Sequence, residues 1–203
     1  MPAQRWLLCT FLAMSALFVS NSEAGAPSDS DLECKTLLLE ASAKNDVTRV
    51  KSLLSRGSKP NLRTPEGFSA LSCAANSGAT DAVSILLENG ADPNSCTFEQ
   101  NFCPLWYAAM ANHPDSVLLL IEKGAKLETE NGWNANTALA WAVRNGKEKA
   151  VRVLVEKGAS LTPVIKKEYY GGKTALQIAK KEGHLAVVEI IEKAANTSLK
   201  PTP

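Results

Sequence analysis

The sequence predicts an all-α fold made of about five repeated helix–turn–helix units joined by extended connectors. A block of about ten residues, ending in Gly or Asn, recurs roughly every 34 residues. The residues that end the block are Asn45, Gly78, Asn112, Gly146 and Gly183. In the first four units another glycine follows roughly twelve residues later, at Gly57, Gly90, Gly124 and Gly158. A fixed period of this length indicates a stacked array of helix pairs.

Each block has the apolar spacing of an amphipathic helix. Leu71, Ala74 and Ala75 fall at positions i, i+3 and i+4, which places them on one helical face. Gly78 follows and permits the left-handed backbone that commonly ends a helix. A second helix comes next and carries Val83 on its buried side. One helix pair alone cannot bury its apolar face, whereas stacked pairs form a continuous core.

The repeated units resemble those of the ankyrin-repeat family. SALSCAANSG at 69–78, TALAWAVRNG at 137–146 and TALQIAKKEG at 174–183 are similar to the family's first helix, and LLENGADPN at 86–94 is similar to the end of its second helix. The family's TPLH motif is never intact, because its His position holds Leu39, Ser72, Trp106, Ala140 and Gln177. The resemblance implies a solenoid of about five helix-turn-helix units with finger-like connectors, and it specifies fold far more than function.

The resemblance covers residues 31–195 and implies five repeats, at about 31–63, 64–97, 98–131, 132–168 and 169–195. A flexible segment at 25–30 would precede them, and a disordered tail at 196–203 would follow. Asn196 begins the glycosylation sequon Asn-Thr-Ser. Since we expect this sequon to lie just past the last helix, it would be accessible for modification.

Residues 1–24 have the layout of a secretory signal peptide. Arg5 precedes an uncharged run at 6–19, and Ser22 and Ala24 supply small residues at the −3 and −1 positions of a cleavage site after Ala24. The alternative is an uncleaved membrane anchor, but about fourteen apolar residues fall short of the ~20 that a spanning helix needs. We therefore expect a secreted or periplasmic protein with no membrane segment after cleavage.

Cleavage would leave four cysteines in the chain, Cys34, Cys73, Cys96 and Cys103. Cys96 and Cys103 bracket one connector. The resemblance implies that this connector forms a hairpin-like finger, whose ends could approach to the distance of a disulfide. Cys34 and Cys73 would then be left for each other, and the alternative for Cys73 is a buried thiol on the core face of its helix. Both alternatives stay open.

The sequence offers no recognisable catalytic or metal-binding motif. Cys-x-x-Cys, HExxH and GxSxG patterns are absent. Gly172-Lys173-Thr174 is similar to the end of a phosphate-binding loop but lacks the earlier glycine at the required spacing, and we interpret it as a connector that enters a helix. His113 and His184 each follow the last residue of a block, and we interpret them as helix-start residues rather than ligands. The net charge of +1 argues against a dedicated nucleic-acid-binding protein. We expect neither an enzyme nor a cofactor.

In ankyrin-like stacks, partner contacts lie just before each first helix and at its end. The resemblance therefore implies these contact residues: Glu66, Phe68, Asn76, Gln100, Phe102, Met110, Trp133, Asn134, Asn136, Arg144, Tyr170, Lys173 and Lys181. The aromatic residues among them predict a ridge of binding hot spots. Tyr107 and Trp141 lie inside predicted helices, and we interpret them as core residues.

The predicted function is that of an exported, non-enzymatic protein–protein interaction module. It would act as a monomer and bind a protein partner through the concave face of the stack. The alternative is a redox-responsive or enzyme-accessory protein that acts through Cys96 and Cys103.

Overall fold

The computed structural model of the protein describes residues 29–130, 137–162 and 173–198. Within these ranges the backbone forms ten helices and no strand, which confirms the all-α prediction. Five helices come first in their units: α1 Asp29–Ala43, α3 Ala70–Ser77, α5 Pro104–Met110, α7 Ala138–Arg144 and α9 Ala175–Glu182. Five come second: α2 Val47–Ser55, α4 Thr80–Glu88, α6 Pro114–Glu122, α8 Glu148–Glu156 and α10 Leu185–Ser198.

The Ser or Thr that opens a repeated block is the N-cap of a first helix. The side chains of Ser69, Thr137 and Thr174 each accept a hydrogen bond from the backbone N–H three residues later. This bond satisfies one of the backbone donors that the first helical turn leaves without a partner. The block ends at a C-cap glycine in the left-handed region, with φ of 68° at Gly78 and 75° at Gly183.

The stack has two layers of helices. Each first helix packs against the first helix of the next unit, and each second helix packs against the next second helix. The core between the layers consists of residues that repeat with the period of the array. The fully buried members include Leu71, Leu105, Leu139, Val83, Val117, Val151, Leu86, Leu120 and Leu154. Burial of each such side chain stabilises the fold by about 1.5–3 kcal/mol. Because successive units bury equivalent side chains, this stabilisation is spread along the array.

Two kinds of junction alternate along the array at the residues that end each block. Where the ending residue is Asn, its side chain reaches the next unit: Asn45 Oδ1 accepts from the backbone N–H of Ala82 (3.0 Å), and Asn112 Oδ1 accepts from that of Ala150 (3.1 Å). Where the ending residue is Gly, a histidine ring of the next unit occupies the space instead. His113 lies against Gly78, and His184 lies against Gly146.

The loops after the second helices are joined by side chains that bond to the next loop. Asn61 Nδ2 donates to the carbonyl of Gly90 (2.8 Å), and its Oδ1 accepts from the N–H of Asp92 (2.8 Å). Asn94 makes the equivalent pair of bonds one unit later, at 3.0 and 2.9 Å. Glu128 occupies the same position in the next unit, where its carboxylate accepts from the N–H of Ser160 (2.8 Å).

Both ends of the predicted repeat domain need correction. Helix α1 begins at Asp29, inside the segment predicted to be flexible, and α10 continues to Ser198, beyond the predicted end at residue 195. Asn196 is therefore an exposed residue within a helix and not part of a tail. Residues 1–28, with the predicted cleavage site at Ala24, lie outside the described residues. In the described ranges no helix is both long and apolar enough to cross a bilayer.

Candidate partner-binding surface

Four of the predicted contact residues occupy the same position on successive first helices. Asn76, Met110, Arg144 and Lys181 each lie two residues before the residue that ends the block. The first three are half-buried and Lys181 is exposed. Because neighbouring first helices pack side by side, these side chains form a row along the first-helix layer. The row changes from polar and apolar residues to basic residues toward the C-terminal end.

Next to this row, aromatic rings contact one another across three units. Phe68 lies 6.0 Å from the ring of Tyr107, measured between centroids, and Trp106 lies 5.2 Å from Trp141. Trp106 and Tyr107 pack edge to face at 5.5 Å, which completes the series of contacts. The guanidinium carbon of Arg144 is 5.7 Å from the Trp141 ring centroid, within the range of a cation–π contact.

Burial divides these rings into core and surface residues, and it corrects one prediction. Phe102 is only 4% exposed and stacks on Trp106 at 3.9 Å, so its interpretation as a contact residue was wrong. Tyr107 is buried, as expected of a core residue. Trp141 is half-buried and not part of the core, so sequence reasoning missed it as a candidate contact residue. Phe68 is also half-buried.

The third finger, residues 91–103, presents the most exposed aromatic residue described. Phe98 is 64% exposed, and the guanidinium of Arg63 lies 5.5 Å from its ring centroid. The Sγ atoms of Cys96 and Cys103 are at disulfide-bonding distance, with their Cα atoms 3.9 Å apart. Gln100, at the tip, is half-buried. The disulfide therefore closes the loop that carries the exposed ring.

The remaining predicted contact residues are divided between surface positions and undescribed segments. Glu66 is exposed at the tip of the second finger, residues 58–69, and Lys173 is half-buried before α9. Four others lie outside the described residues: Trp133, Asn134, Asn136 and Tyr170. Because Trp133 and Tyr170 are among them, the ridge of fingertip aromatic residues stays a prediction. Among the described residues, aromatic rings that are exposed or half-buried lie at Phe68 and Phe98 on the fingers and at Trp141 on a first helix.

The two histidines contribute to packing between units. A Cβ added at Gly78 would lie 2.5 Å from Nδ1 of His113, and one added at Gly146 would lie 2.8 Å from Nδ1 of His184. His184 Nε2 also forms a 3.0 Å hydrogen bond with the backbone carbonyl of Arg144. These contacts support the interpretation of both residues as structural rather than as metal ligands.

Electrostatics at the described residues do not define a reactive centre. Lys44 hydrogen-bonds to the Glu40 carboxylate and lowers the pKa of that group through the bond and its charge. A perturbed carboxyl pKa can mark a catalytic acid, but this one is accounted for by an ordinary i, i+4 ion pair on α1. No group of three or more His, Cys, Asp or Glu side chains in the described ranges could hold a metal ion.

A family model described as ankyrin repeats (3 copies) matches residues 37–131 and 127–200, which together exceed half of the chain. The chain belongs to the ankyrin-repeat family. Ankyrin repeats are protein–protein interaction modules, and the family is generally non-enzymatic. Membership of the family therefore suggests that this ankyrin-repeat chain has protein partners.

Curated relatives match single portions of this ankyrin-repeat chain. A putative ankyrin repeat protein of Acanthamoeba polyphaga mimivirus is 37% identical over 32% of the chain and 8% of its own length. Human ankyrin repeat and SOCS box protein 3 is 44% identical over 30% of the chain and 12% of its own length. Human mitochondrial disaggregase is 37% identical over 40% of the chain and 11% of its own length. The matches thus span about a tenth of each of these relatives.

Proposed function

We propose that this ankyrin-repeat protein is exported and binds a protein partner through the surface formed by its first helices and fingertips. The observation that carries the proposal is the half-buried pair Trp141 and Arg144, which lies on the first-helix layer and continues the aromatic contacts from units two and three. Trp, Tyr and Arg are the residue types most enriched in interface hot spots. A ring already packed on one side loses little conformational freedom when a partner covers the other side.

The test compares two double variants of the full chain. Trp141→Ala with Arg144→Ala removes one aromatic residue and one arginine from the first-helix layer. The matched control, Leu118→Ala with Arg152→Ala, removes one apolar residue and one arginine from the second helices, where Leu118 is half-buried and Arg152 exposed. The partner is first identified by cross-linking in the native compartment and then purified for calorimetry. Circular dichroism melts establish that both variants fold.

We expect the first-helix variant to bind the purified partner about 30-fold or more weakly, which corresponds to the loss of about 2 kcal/mol at a hot spot. The control variant should bind within about twofold of the parent protein, since single contacts outside an interface contribute little. Equal losses in both variants, or an unchanged affinity of the first-helix variant, would exclude this surface. The single variant Arg144→Glu repeats the test without removal of the indole.

Export is tested on the protein produced from its full sequence. The signal-peptide layout of residues 1–24 supports a mature chain that begins at Gly25. N-terminal sequencing of the material recovered outside the cytosol should find this residue first. Recovery of the chain only in the cytosol, with its first 24 residues still attached, would contradict export and leave the binding proposal standing.

A further inference from the structure

We propose that the Cys96–Cys103 disulfide is a site of thiol–disulfide exchange, at which a dithiol reductant opens the third finger and releases its tip while the helical stack stays folded. The exchange itself is independent of the proposed function. Its effect on partner binding rests on that function, because the fingertips belong to the proposed contact surface. In the sequence, this connector is also the one finger that carries two cysteines.

The two sulfurs differ in accessibility, which determines where exchange begins. Cys96 is half-buried, whereas Cys103 is 5% exposed and lies between Phe102 and the first residue of α5. An incoming thiolate can therefore reach Sγ of Cys96 more easily than that of Cys103. Arg63 donates a 3.1 Å hydrogen bond from Nη1 to the carbonyl of Cys96. Its positive charge beside the attacked residue favours the approach of an anionic thiolate.

The dithiol reductant supplies the electrons and protons that the exchange requires. A thiolate of the dithiol attacks Sγ of Cys96, the bond between the two protein sulfurs breaks, and Cys103 leaves as a thiolate that takes up a proton. The second thiol of the reductant then attacks the mixed disulfide, so that the reductant becomes a disulfide and Cys96 returns as a thiol. Two electrons and two protons pass from the dithiol to the protein.

The segment that carries Phe98 has few interactions to keep it ordered, whereas Thr97 and Phe102 on either side of it are buried. At its end, Asn101 Nδ2 donates to the carbonyl of Glu130 (2.8 Å). Within the loop, the N–H of Thr97 donates to the carbonyl of Phe102 (3.0 Å), and the N–H of Asn101 donates to the carbonyl of Thr97 (3.1 Å). Towards its neighbours, the N–H of Phe98 donates to the carbonyl of Glu66 at 3.3 Å. Phe98 itself buries little surface. A segment with few buried apolar contacts opens at low free-energy cost once its covalent closure is lost.

The flanks of the loop, in contrast, are attached to the core. Phe102 is stacked on Trp106, and α5 begins immediately after Cys103 with Pro104 buried in its first turn. On the other side, Ala91 and Ser95 are buried next to the end of α4. Opening should therefore be confined to residues 98–101, between the buried Thr97 and Phe102, and the stack should keep its helices.

Chymotrypsin cleavage after Phe98 reports the opening directly, because this protease cuts after aromatic residues that an open chain offers to its site. The full chain is compared in oxidised form and after treatment with dithiothreitol. The double variant Cys96→Ser with Cys103→Ser serves as a permanently open reference. We expect cleavage after Phe98 to be about tenfold or more faster in the reduced chain and in the variant, with an unchanged helical circular dichroism spectrum at 25 °C.

A short pulse of glutathione, quenched with iodoacetamide and mapped by mass spectrometry, identifies the attacked sulfur. We expect glutathione on Cys96 and carbamidomethyl on Cys103. Equal cleavage rates in oxidised and reduced protein, glutathione on Cys103, or loss of the helical spectrum on reduction would each overturn the proposal. None of these measurements uses a partner, so a failure here is separate from a failure of the binding surface. If the tip opens while partner binding stays unchanged, the proposed link between the two is overturned.

Discussion

Replacement of Gly78 by alanine tests how closely the units fit together. Gly78 has φ of 68°, and a Cβ at this position would lie 2.5 to 2.8 Å from three atoms of the His113 ring. Real Cβ atoms essentially never come so close to another heavy atom, so the ring or the backbone must move. Gly90 provides a matched control, since it has φ of 85° and nothing within 4 Å of its added Cβ.

The expected cost is the sum of two effects. A left-handed backbone costs about 1–2 kcal/mol for a residue with a Cβ, and this applies to Gly78→Ala and Gly90→Ala alike. Overpacking of a close contact adds about 1–3 kcal/mol, and this applies to Gly78→Ala alone. We therefore expect Gly78→Ala to lower the free energy of unfolding by about 2–5 kcal/mol, and Gly90→Ala by about 1–2 kcal/mol.

Urea unfolding followed by circular dichroism measures both variants, and His113→Ala identifies the source of the difference. The side chain of His113 makes no capping hydrogen bond at α6, so its removal relieves the clash without breaking a cap. In a double-mutant cycle, Gly78→Ala should cost about 1–3 kcal/mol less in the His113→Ala background. Equal costs for the two glycine variants, or no coupling with His113, would refute the reasoning.

Three further predictions concern single side chains. Phe102→Ala should cost about 3–5 kcal/mol in urea unfolding, and Phe98→Ala less than about 0.5 kcal/mol; the reverse order would contradict their burial. Asn94→Ala should cost about 1–3 kcal/mol, because it leaves two loop groups without their bonds, and an unchanged urea midpoint would contradict this. The lowered pKa of Glu40 means that its pairing with Lys44 stabilises the folded state above the carboxyl's unfolded pKa and less as pH falls through the folded pKa. The Glu40→Gln variant should therefore lose slightly less stability than the parent protein as the pH falls. If the free energy of unfolding depends on pH identically in the two proteins, this explanation is wrong.

The repeated parts of the fold could be predicted because periodic residues have periodic environments. Ser69, Thr137 and Thr174 open similar blocks, and each of them caps its helix. The end of the array was predicted less well. No glycine interrupts the sequence after Gly183, so nothing stops α10 before Ser198, where the usual unit would already have ended.

The fingertip contacts could not be predicted from a pattern, because the residues within a finger, unlike those of a helix, have no regular spacing of buried positions. Phe98 and Phe102 are both aromatic residues of one connector, yet one is exposed and the other is buried. The difference arises from hydrogen bonds between Thr97 and Phe102 that turn the second ring toward Trp106. Trp141 shows a related limit, since its helical position predicted burial while its neighbours leave part of the ring uncovered.

The alternating junctions mean that the smallest interchangeable module is two units, or about 68 residues. An Asn at the end of one block bonds to the next second helix, whose N-cap is Ala79 or Lys147, whereas a Gly contacts a histidine of the next unit. Deletion of residues 79–112 would place Asn45 opposite His113 and Gly78 opposite Lys147, so both new junctions would be mismatched. Deletion of residues 79–146 would restore one junction of each type, and the shortened array should assemble as the parent does.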